Sequence, residues 1–129
     1  MKDVFELIPK HKSDLSGIES LKTIDISEAE PILGKLLEWI QDINWPVAWP
    51  LIKVLPRFHS SMVPHINFIL KSDDDIWKCW VLLLVKSFPP ETVKLLAGDI
   101  RRVADSPTPG EIMEGADEYA AEVIEFFRL

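Results

Sequence analysis

The chain holds one cysteine and five glycines, and its longest uncharged apolar run is Cys79–Val85. Each scarcity excludes something. A single cysteine permits no internal disulfide, which suits a reducing compartment. No glycine-rich phosphate loop and no Gly-x-Ser-x-Gly elbow occurs. A seven-residue apolar run is far too short to span a bilayer. Basic residues are outnumbered, 14 against 21 acids, for a formal charge of −7. That argues against nucleic acid, whose binding rests on neutralising phosphates, and against an anionic membrane surface. The first residues, MKDVFELIPKHK, lack an apolar core, so no signal peptide is expected. The expected location is the cytoplasm. Sustained alternation and glycine-bearing hairpin turns are missing too, so strands find little support.

What is present is a repetition. DINWPVAWPLIKVL (42–55) and DDDIWKCWVLLLVK (73–86) align at a fixed offset of 31 residues, as in Trp49 to Trp80, Leu51 to Leu82 and Val54 to Val85. A constant offset of this size marks stacked supersecondary units. The chain has 129 residues, 47% of them hydrophobic and 27% charged, which suits one soluble domain with a real core, 1–129. Its ten prolines punctuate the apolar runs and read as boundaries.

Helical spacing recurs along the chain. Leu15, Ile18 and Leu21 predict a short amphipathic helix. Ser27 to Glu30 has the form of a capping box, with Pro31 as an alternative first helical residue. Leu33, Leu36, Leu37 and Ile40 form one stripe. Trp45, Ala48, Trp49, Ile52 and Leu55 form the next, where Pro50 predicts a kink or an irregular opening turn. A helix from Ser61 carries Val63, Ile66 and Leu70. Asp73, Asp74 and Asp75 cap another, with Trp77, Trp80, Val81 and Leu84. Pro89 and Pro90 open a helix with Val93, Leu96, Ile100, Val103 and Ala104 on its buried face. Thr108-Pro109-Gly110-Glu111 is a strong helix start, with the cap at Thr108 and Glu111 reaching back. The last helix is expected to bury Ile112, Ala116, Tyr119, Ala120, Val123 and Phe127. The sum is an all-α fold of about seven helices.

The paired pattern resembles a HEAT-type helical repeat. Leu36, Ile40, Asp42, Val47, Ala48 and Ile52 match it in a first unit, and Ile66, Leu70, Asp73, Cys79 and Leu83 in a second. The chain departs from it in having Ala48 after Val47, where such units often carry Arg. LIPKHKSDL, LLEWIQDINWPVAWPL and VPHINFILKSDDDIWKCW together resemble a family of short bacterial proteins, a domain of unknown function. The resemblance implies a bacterial, cytoplasmic, HEAT-like superhelix. That is a small right-handed solenoid of antiparallel helix pairs, with units about 31–58 and 61–88 between an N-terminal helix and an acidic C-terminal one. It transfers no activity and no catalytic residues.

The chemistry-bearing residues read mostly as structure. Cys79 sits on an apolar helix beside acids that oppose a thiolate, at the place Ala48 holds in the other unit. His59 and His65 are six apart, on different helix faces, so no metal is expected. The Asp73–Asp75 triplet lacks the glycine and glutamate of a calcium loop and serves better as a cap. The pair Glu38 and Asp42, with Lys35 nearby, is an ordinary solvated face. No catalytic constellation and no cofactor motif emerges.

Two features remain. Trp45, Trp49, Trp77 and Trp80 fall on the second helices of the two units, where they either pack the core or line a recognition groove. Glu111, Glu114, Glu118, Glu122 and Glu125 form a stripe on the last helix, with six acids and one base between Pro109 and Leu129. The stripe is either a solvated end face or a docking edge for a basic protein. The expected function is a protein-binding module, for example an immunity-type protein that masks a basic nuclease. The alternatives are a small-ligand domain with a tryptophan-lined cleft, and self-association as a homodimer.

Overall fold

Short helices need neighbours. A six-residue helix is not stable alone in water, yet the stripe Leu33, Leu36, Leu37 and Ile40 has no exposed surface at all. Burial holds this segment helical, at about 1.5–3 kcal/mol for each large aliphatic side chain.

The computed structural model describes residues 3–129; Met1 and Lys2, the first two of the expected 1–129 domain, lie outside the described residues. Those residues form ten α-helical segments and no strand. They are α1 (Ile18–Leu21), α2 (Ile26–Ala29), α3 (Leu33–Glu38), α4 (Ala48–Val54), α5 (His59–Leu70), α6 (Asp75–Val85), α7 (Pro90–Lys94), α8 (Ala97–Asp105), α9 (Pro109–Glu114) and α10 (Ala116–Phe127). Tight 3-10 turns lie at Val4–Leu7, Glu30–Ile32 and Leu55–Phe58. No helix among the described residues is long and apolar enough to cross a membrane.

The packing order is simple. α3 packs on α5, and α5 on α8. α6 packs on the 3-10 turn that follows α4, and on α10. α5 pairs with α6, and α8 with α10. One buried core runs through all of them, from Leu7 to Val123. Ala116 and Ala120, one turn apart on α10, are fully buried, as are Ile100 and Val103 of α8, the helix on which α10 packs.

Ten segments replace the expected seven because three boundaries differ. The cap of α2 is Asp25, in extended conformation, and not Ser27; Pro31 sits inside the 3-10 turn. The helix expected after Pro90 is two, split by a turn at Leu95 and Leu96 that exposes the first and buries the second. The last helix is also two. Gly115, at φ 82°, caps α9 in the left-handed conformation that glycine adopts without strain, and α10 starts at once. This break shifts the phase, so Ile112 is 56% exposed and not buried as expected.

Pro50 resolves simply. α4 begins only at Ala48, so Pro50 lies in the first turn, where no amide donor is needed. The segment before it is irregular, with Asn44 N–H bonded to Asp42 Oδ1 at 2.8 Å. α5 starts two residues before the expected Ser61, running on from the 3-10 turn, and so encloses Pro64.

Truncating Leu36 to alanine is expected to cost about 2–5 kcal/mol of stability. Leu15→Ala, at a side chain that is 49% exposed, should stay within about 0.5 kcal/mol. Urea denaturation of the two variants checks the contrast.

Candidate functional site

The Thr108 cap closes as its spacing predicts. Glu111 N–H donates to Thr108 Oγ1 at 3.1 Å, and Thr108 N–H donates to Glu111 Oε1 at 2.8 Å. That return bond pulls Glu111 inward. Its carboxylate has no exposed surface, so Glu111 does not belong to the exposed stripe. Arg102 of α8 grips it with two bonds, to Oε1 at 2.7 Å and to Oε2 at 2.6 Å. Lys78 of α6 donates to Oε2 at 2.9 Å and to Asp75 Oδ1 at 2.9 Å. Arg102 also donates to the Leu70 carbonyl at the end of α5. The four charges therefore tie α5, α6, α8 and α9 together.

These charges balance one another. Burial alone disfavours a charged Glu111, but the bonds from Arg102, the Thr108 amide and Lys78 outweigh it and lower the pKa to about 2. Burial likewise disfavours a charged Lys78, and its carboxylate partners raise its pKa instead. The cluster opens on a hollow of about 350 Å³ that also touches Lys71 and Ser72. Every charge in it already has an opposite partner, so it reads as a structural clamp.

The rest of the acidic stripe faces solvent. Glu114, Glu118, Glu122 and Glu125 are all exposed. Among the described residues one cation reaches it, Lys86, 4.0 Å from Glu122. At its α9 end the edge is extended by Asp73 and Asp74 at the start of α6, which share a shallow hollow with Glu114 and the exposed Ile76. Asp74 is the α6 cap, accepting from the Trp77 amide at 3.0 Å.

The tryptophans are divided among different neighbours. Trp45 packs on Trp39, ring centroids 5.5 Å apart. Trp77 donates its indole N–H to the Leu37 carbonyl at 3.0 Å, joining α6 to the end of α3. Trp80 meets Tyr119 of α10 edge-on at 5.9 Å. Trp49 is half-exposed. Trp77 and Trp80 thus join separate helices, whereas Trp45 lies before the start of α4, not on it as expected, and packs within the stretch between α3 and α4. The hollow beside Trp77, about 420 Å³, also holds Lys35, His65 and the exposed Phe68.

Cys79 is buried, as is Ala48 at the matching position. Its Sγ lies 3.4 Å from the Asp75 and Glu114 carbonyl oxygens. Burial, then the nearby Glu114 charge, push the thiol up to about 11. His59 is hydrogen-bonded to Thr92 at 2.7 Å, which fastens α5 to α7.

Sequence reading missed the partners Lys78 and Arg102. Asp75 and Lys78 sit at i, i+3, which is a visible signal. Arg102 comes from a separate helix and carries none.

The geometry defines an all-α domain clamped on a buried carboxylate. The chain belongs to the family described as Domain of unknown function (DUF5071), whose model matches residues 7–124. No curated protein matches it.

Glu111→Gln should cost about 3 kcal/mol at pH 7, the low end for a broken buried pair, because the Arg102 side chain is 38% exposed. The folded pKa lies below the ordinary 4.5. The carboxylate therefore contributes stability above pH 4.5, and that contribution is lost as pH falls toward about 2. Denaturation from pH 7 to 2 should show a flatter acid limb in the variant. Cys79 should resist a thiol reagent at pH 8 until the protein is unfolded.

Proposed function

We propose that this chain is a HEAT-like, protein-binding module whose acidic C-terminal edge captures a basic protein. One observation carries the reading. Glu114, Glu118, Glu122 and Glu125 all stay exposed, while Glu111 turns inward to serve the fold. A solvated helix face ordinarily mixes signs, as α3 does with Lys35 and Glu38 at 3.3 Å. This edge is nearly of one sign, which raises the encounter rate with a positive surface. A concrete form is an immunity-type protein that covers the basic active site of a bacterial nuclease.

The superhelical part of the reading draws support from packing order. α3, α5 and α8 stack in sequence, as first helices of successive units would, and α6 meets α10 as second helices would. The single buried cysteine suits a reducing bacterial cytoplasm. A second reading, a small-ligand domain, has the hollow that sets His65 and Lys35 beside Trp77 in its favour.

The test is affinity capture from bacterial lysate at low and high salt. One bait is the wild type, and the other carries Glu114→Lys, Glu118→Lys and Glu122→Lys. The expected result is a basic protein held by the wild type, released by salt and absent from the reversed bait. Once purified, that protein should bind the wild type with an affinity that falls about tenfold or more as salt rises. Equal capture by both baits overturns the reading.

A further inference from the structure

A second concave place carries the opposite sign. The hollow between α1 and α4 holds about 510 Å³ and is lined by Ile18, Lys22, Pro50, Lys53, Val54 and Arg57. Three of these six are cations and none is a carboxylate, in a chain where acids outnumber bases 21 to 14. Lys53, on α4, and Arg57, on the 3-10 turn that follows it, stand four residues apart and line the same hollow. Lys53 is exposed, and among the described residues no carboxylate lies within 4.0 Å of it.

Arg57 is held in place. Its two terminal nitrogens donate to the Leu21 carbonyl at 2.6 Å and the Ile24 carbonyl at 2.9 Å. Its guanidinium lies 5.1 Å from the centre of the Phe58 ring. Two of five N–H groups are used, so about three remain for a ligand. Lys22 pairs with Glu19 at 2.7 Å, but those side chains are 54% and 84% exposed. Such a pair is worth less than about 1 kcal/mol, so Lys22 can turn to a better anion. Ile18, Pro50 and Val54 supply apolar wall. Pockets of about 300–1,000 Å³ with apolar walls and a few fixed polar groups are the usual form of a small-ligand site.

We infer that this hollow binds an amphiphilic anion, a phosphate-type head held by Lys22, Lys53 and Arg57 with a short apolar body against Ile18, Pro50 and Val54. The inference is independent of the acidic edge.

The test is a titration of the methyl-labelled full chain with octyl phosphate, followed by NMR, with octanol and inorganic phosphate as comparison probes. Octyl phosphate should shift the Ile18 and Val54 methyl signals saturably, with Kd below about 1 mM. Octanol, which lacks the charge, and inorganic phosphate, which lacks the body, should each bind more weakly. The double variant Lys22→Gln, Lys53→Gln keeps Arg57, which the fold uses, and should melt at the wild-type temperature. It should bind octyl phosphate about tenfold or more weakly. Absence of a saturable shift at Ile18 and Val54 overturns the inference. So does equal binding of octanol, or undiminished binding by the double variant.

Discussion

The Glu111 carboxylate is fully buried and still charged. An isolated charge in such a place would cost many kcal/mol. It is tolerated because four donor bonds reach the carboxylate from three directions: two from Arg102, one from Lys78 and one from the Thr108 amide. The exposed pairs of this chain, such as Lys22 with Glu19, are worth less than about 1 kcal/mol each and orient nothing distant. The Glu111 cluster is different because its members come from three elements: Asp75 and Lys78 from α6, Arg102 from α8 and Glu111 from α9. Removing Glu111 leaves the buried Lys78 with Asp75 alone and takes both carboxylate bonds from Arg102, which loosens the contact among α6, α8 and α9.

Gly110 belongs to the same constraint. A side chain there would run into the Asp75 carboxylate, which would have to turn aside and disturb its bond to Lys78. Gly115 then redirects the chain, and α10 lies back on α8 and α6 with Ala116 and Ala120 buried. The clamp, the close approach and the left-handed turn thereby set which glutamates of the C-terminal stripe reach solvent.

The surface that results is electrically uneven. Negative charge gathers on α10 and extends at its α9 end to the start of α6, while a hollow near α1 and α4 carries only cations. Ion pairing inside the molecule covers only part of either, with Glu122 meeting Lys86 at 4.0 Å and Lys22 meeting Glu19 at 2.7 Å. Fields of one sign over a connected area steer encounter with partners of the other sign. The aromatic residues work in the other direction. Trp77 and Trp80 bond or pack across helices and contribute to cohesion between them.

Much of the fold was readable from local signals. The stripe of α3, the Asp74 cap, the Thr108 box and the small buried residues at 48 and 79 depend on spacing within one turn of helix. Local geometry is what sequence periodicity records. The helix breaks at Leu95–Leu96 and Gly115 were not readable, because a short turn leaves apolar spacing almost undisturbed on either side. The role of Glu111 was split for the same reason. Its capping geometry is local and legible, but its burial needs Lys78 and Arg102, which lie 33 and 9 residues away. By itself the sequence determined an all-helical chain, the caps at Asp74 and Thr108, its excess of acid and its family. Only the tertiary structure decided which charges are buried as a clamp and which are left facing water, because that depends on where separate helices meet.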